Sequence, residues 1–71
     1  MKMKYCIVDV IYGDVDSVHE DSHDAMKRFV EIYDVPDREW DIAYWDEEEG
    51  KPGRLMSYTS DMFERAMADV Y

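Results

Sequence analysis

Two stretches of the chain follow one order of patterns: a run of β-branched and aromatic residues, a turn signal, a short return run, then apolar positions at helical spacing. The first run, residues 5–12 (YCIVDVIY), is broken only by Asp9 and reads as a strand; Gly13-Asp14 offers a two-residue hairpin turn and residues 15–19 the returning strand. Asp21 or Ser22 then caps a helix, because a short side-chain oxygen can accept from the free amides of the first turn, and Asp24 adds favourable charge against the dipole. Met26, Phe29, Val30 and Tyr33 form its apolar stripe, and Val35-Pro36 ends it, since the residue before proline is pushed out of the α region.

The second half repeats this order. Residues 40–46 (WDIAYWD) read as a strand, 47–53 (EEEGKPG) as a loop, 54–59 (RLMSYT) as the return strand, and Ser60 as the cap of a helix whose stripe is Phe63, Ala66, Met67 and Val70. An offset of 37 superposes the two stripes, whereas an offset of 38 pairs Ser22 with Ser60 and Tyr33 with Tyr71. The pattern predicts one α+β domain over residues 1–71, with a pseudo-repeat of 1–35 and 38–71. Its two ββα units build a two-layer sandwich: a four-stranded, mainly antiparallel sheet with two helices on one face. Alternation puts Cys6, Val8 and Val10 on one side of the first strand and Tyr5, Ile7 and Ile11 on the other, while Trp40, Ile42 and Tyr44 oppose Ala43 and Trp45. Both sheet faces are therefore apolar, and the face without helices predicts a homodimer or another partner unless loops fold over it.

Charge changes the picture more than composition does. The 71 residues hold 18 acids against 8 bases, a net charge of −10. The deficit lies in residues 14–49, where fourteen acids face only Lys27, Arg28 and Arg38. Direct nucleic-acid binding is disfavoured, because the cations that neutralise phosphates are outnumbered. No apolar run approaches the ~20 residues of a membrane helix, nor does the start resemble a signal peptide, so the expected compartment is cytoplasm, the host's if the gene is viral.

Residues 19–23 (HEDSH) match the H-E-x-x-H spacing of zinc hydrolases. The best capping residues lie inside the motif, however, so the helix starts between the two histidines and they need not share a face. Cys6 sits among apolar strand residues, where a thiol is a small hydrophobe rather than a nucleophile. The run 46–49 (DEEE) supplies hard oxygens but lacks the spacing of an EF-hand loop. No cofactor is expected.

The remaining acids point to protein binding. Lys27 falls within the acidic arc of the first helix, which reads as an ordinary solvated face, whereas eight acids in 34–49 meet only Arg38. Asp37, Glu39, Asp41, Asp46, Glu47, Glu48 and Glu49 can present a lattice of carboxylates, with Trp45 as an apolar anchor, to a basic, nucleic-acid-binding host protein. In size, acidity and aromatic content the chain resembles small phage or mobile-element inhibitors, including anti-CRISPR and DNA-mimic proteins; the resemblance is compositional and assigns no residues. It implies a non-enzymatic inhibitor that occupies a basic host surface. The alternatives are a homo-oligomer that captures a small ligand, for which the open sheet face speaks, and a metal-dependent enzyme using His19, Glu20 and His23.

Overall fold

The structure, a computed structural model, describes residues 3–71. It contains β1 (Lys4–Asp9), β2 (Val15–His19), α1 (Ser22–Ile32), β3 (Trp40–Asp46), β4 (Lys51–Leu55) and α2 (Ser60–Val70). The strands form one sheet in the order β2-β1-β3-β4, with every neighbouring pair antiparallel. This is the expected α+β two-layer arrangement. The two strands richest in apolar residues, β1 and β3, take the centre, where both edges are paired and one face is covered by helix. The edge strand β4 carries Pro52, which has no amide proton to give a ladder.

Pairing of Ile7 with Ile42 and Cys6 with Ala43 joins the two hairpins. That register puts Tyr5, Ile7, Trp40, Ile42 and Tyr44 on the helix side, where they meet Ala25, Met26, Phe29 and Val30 of α1. On the other side, Cys6, Val8 and Ala43 form a small second cluster against Trp45. Cys6 and Ala43 are fully buried there although no helix covers them, because larger neighbours close over short side chains. Val15, Val18 and Leu55, paired with Val8, Cys6 and Ala43, remain exposed on that open face.

Several element ends differ from the sequence reading. The first strand stops at Asp9 rather than continuing to residue 12, so the hairpin loop spans residues 10–14 instead of two residues. Asp9 itself causes this: its buried carboxylate accepts from the Ile11 and Tyr12 amides at 2.8 and 3.2 Å, which turns the chain out of the ladder. Likewise β4 starts at Lys51 and ends at Leu55, leaving a tight turn over 47–50 that Gly50 closes at φ +64°. Thr59, not Ser60, caps α2, its hydroxyl accepting from the Met62 amide at 3.2 Å, while Asp21 caps α1.

The caps of the two helices are 38 residues apart, yet their inward positions follow the offset of 37: Ala25, Met26 and Phe29 correspond to Met62, Phe63 and Ala66, while Met67, opposite Val30 in that register, does not join the core. The reason lies in packing. Helix α1 lies on the sheet, whereas α2 packs chiefly against α1 and reaches the core through Ala66, Met62, Phe63 and Val70. Tyr33, at the end of the predicted stripe, is 41% exposed and joins Phe63 edge-on at 5.1 Å instead of reaching the sheet.

Two irregularities re-aim side chains. In β2 an extra residue, Asp16, bulges between the Ile7–Ser17 and Val8–Val15 pairs. It turns both carboxylate oxygens onto Arg28 of α1, which donates from Nε at 2.7 Å and Nη2 at 2.9 Å. In β4 a second bulge accompanies Arg54 lying over the Tyr44 ring at 5.2 Å.

Candidate protein-binding surfaces

Every described lysine and arginine is already engaged. Lys4 pairs with Glu47, Lys27 with Asp24, Arg28 with Asp16, Arg38 with Asp9 and Asp14, Lys51 with Glu49, and Arg65 with Asp61, while Arg54 covers Tyr44. The Glu47 carboxylate, as hydrogen-bond partner and as charge, raises the Lys4 pKa above its ordinary value. Among the described residues, Asp34, Asp37, Glu39, Asp41, Asp46 and Glu48 have no cationic partner. The expectation that Arg38 is the base serving the acids of 34–49 is corrected: it serves Asp9 and Asp14 of the first hairpin, and Lys4 and Lys51 relieve two glutamates instead.

The acids do not form one lattice. Asp34, Asp37 and Glu39 lie in the connection between α1 and β3, and Asp46, the last residue of β3, lies at its far end with Glu47, Glu48 and Glu49 of the turn that follows. The strand residues 40–45 separate the two groups by roughly 20 Å. Asp41 and Trp45 share the open face, since they pair with Val8 and Lys4 across β1 on the same side as Ala43.

The end of the sheet near Asp37 and Glu39 is built around Arg38. Its Nη1 donates to Asp14 at 2.7 Å and to the buried Asp9 at 3.2 Å. Its guanidinium carbon stands 5.4 Å from the Tyr12 ring centroid and 5.5 Å from that of Trp40, so the cation is held between two aromatic rings. The Val10 amide donates to the Glu39 carbonyl at 3.0 Å, tying the hairpin loop to the connection, and Asp37 turns that connection with φ +68°. Burial opposes ionisation of Asp9, but the Ile11 and Tyr12 amides and Arg38 outweigh it and hold its carboxyl below the ordinary carboxylate range.

This end exposes three residues whose composition is that of a strand. Val10 is 46%, Ile11 60% and Tyr12 65% accessible. The available signal was Asp9: an aspartate inside an apolar run, able to bond the amides two and three residues on, marks a turn as readily as an interrupted strand.

The histidines of the HEDSH segment part company. His19 ends β2 and meets the Ser17 hydroxyl at 2.7 Å, while His23, in the first turn of α1, reaches Asp69 of α2 at 2.6 Å. Among the described residues no three His, Cys, Asp or Glu side chains are grouped to hold a metal. A shallow cleft of ≈ 130 Å³ beside His23, lined also by Met26, Met62 and Arg65, lies between the helices. The Cys6 thiol is buried, which pushes its pKa up and its reactivity down. No helix among the described residues is long and apolar enough to cross a membrane.

No protein-family model, curated protein or solved structure matches the chain.

Proposed function

We propose that this chain is a small non-enzymatic binding protein that docks its carboxylate-rich surface on a basic, nucleic-acid-binding surface of another protein and so inhibits it, as phage or mobile-element inhibitors act in a host cytoplasm. One observation carries the reading: six of the eight acids in 34–49 lack a cationic partner among the described residues, while all the described bases are occupied. Unpaired like charges raise the free energy of the compact state, and a basic partner relieves that repulsion on binding. The test is a pull-down from bacterial lysate on the immobilised chain at low and high salt. A nucleic-acid-binding protein retained at low salt and released as salt rises is the expected result; retention of no basic protein would sink the proposal.

A second reading rests on the open sheet face, where Val15, Val18 and Leu55 are exposed around Cys6, Val8, Ala43 and Trp45. It makes the chain a homodimer, with that face closing over a small ligand or over its own copy. Sedimentation from micromolar to about millimolar concentration tests it: a dimer at micromolar concentration is the expected result, and a single 8.5 kDa species throughout would leave the face without a second copy.

A further inference from the structure

Resting on the reading above, we propose that the Arg38-locked end of the sheet is where a basic protein is gripped, the loop 10–14 supplying apolar anchors and the connection 34–39 supplying charge. The partner surface it fits is an apolar depression rimmed by lysine or arginine. Val10, Ile11 and Tyr12 are three consecutive large apolar side chains left in water, and Val35 in the facing connection is 40% exposed. The connection bonded to this loop through the Val10 amide carries Asp34, Asp37 and Glu39, all exposed and all without a cationic partner among the described residues. Apolar centre and charged rim together are the anatomy of a protein interface.

The loop is also ordered before any partner arrives. Asp9 bonds two of its amides, Arg38 stacks on Tyr12 and ties Asp14, and Val10 is bonded to Glu39. Fixing those groups in advance removes an ordering cost that binding would otherwise meet. The competing surfaces fit less well. At the 46–49 turn two of four acids are paired with lysines, and the turn carries no apolar residue. An anionic bilayer or a second copy of this acidic chain would bring like charge against the rim.

The experiment is amide-resolved NMR titration of the whole chain at low salt with two lysine peptides of equal length and charge, one interleaved with leucine and one with serine. The leucine peptide is expected to bind about tenfold more tightly or better, as burial of an aliphatic side chain at the tip implies, and to shift amides of 10–14 and 34–39. Ile11→Ser should abolish the difference between the peptides, while Glu48→Gln should preserve it; the exposure of Ile11 keeps the melting point of the variant near that of the parent. Equal affinity for both peptides overturns the proposal, as do shifts confined to residues 46–51 or to Val15, Val18 and Leu55; in each case the broader charge reading survives. Binding of neither peptide defeats both readings. Tip shifts produced by phosphatidylglycerol vesicles, or by raising the protein's own concentration, overturn the proposal in favour of a membrane or a second copy.

Discussion

Replacing Phe29 by alanine removes the side chain that joins all the parts of the fold. Phe29 is 4% exposed, belongs to the cluster with Ile7, Ile42 and Val30, and its ring packs against Tyr58 at 5.4 Å, Tyr33 at 5.9 Å and Phe63 at 6.1 Å. A buried Phe→Ala change costs about 3–5 kcal/mol, from lost transfer energy and from the cavity left behind. At ~0.05–0.15 kcal/mol per residue, a chain of 71 residues has about 4–11 kcal/mol in total, so the variant forfeits from about a quarter of its stability to all of it. The melting point should fall by about 12–40 °C, at ~4–8 °C per kcal/mol for a domain of this size. Because α2 is held through Phe63 and Tyr58 around this ring more than by the sheet, its amides should lose hydrogen-exchange protection before those of β1 and β3. Phe29→Leu keeps most of the volume and should lose no more than about 1.5 kcal/mol. Urea melts of the parent and both variants give the numbers. A loss below about 1 kcal/mol for alanine, or equal protection losses in α2 and β1, would refute the packing described for this residue.

Acid should weaken the two aspartates that organise the hairpin. Asp16, through its bonds from Arg28 against the opposing effect of burial, and Asp9, through its amides and Arg38, both ionise below the ordinary carboxylate range. Their stabilisation is therefore complete above the unfolded-state pKa of about 4 and is lost as pH falls through the lower folded values. The stability gap between parent and Asp16→Asn should accordingly be widest near neutrality and narrow below about pH 4; a constant gap would contradict the assignment. Cys6 should resist a thiol reagent in native buffer and react at once in denaturant; rapid native labelling would show that its neighbours do not close the open face. Replacing Glu47, Glu48 and Glu49 together by glutamine should slow association with a basic partner and flatten its salt dependence, while altering stability little, because the lost pairs with Lys4 and Lys51 lie in solvent. Unchanged association rates at both salt concentrations would take this turn out of the encounter.

Alternation and helical spacing are local properties, and they determined the element order, the α+β class, both helices and the span of β3, which coincides with residues 40–46. Each depends on side chains a few positions apart, so the chain states them residue by residue. Strand ends were legible only where a turn residue stood in the open. Asp9 could be read as an interruption within a strand or as the end of one, and only Arg38, 29 positions along, decides that its carboxylate is buried as the anchor of a turn. The same separation hid the exposed tip: Val10, Ile11 and Tyr12 look like strand until the ladder stops at Asp9, and the acids of 34–49 look continuous until β3 carries them to opposite ends of the sheet. Which apolar face meets the helices was likewise left open by a pattern apolar on both sides. Tertiary packing settled it, because the Tyr5, Ile7, Ile42 and Tyr44 face offers bulk enough to fill the space under α1, whereas the Cys6 and Ala43 face offers side chains short enough to be sealed by their own neighbours.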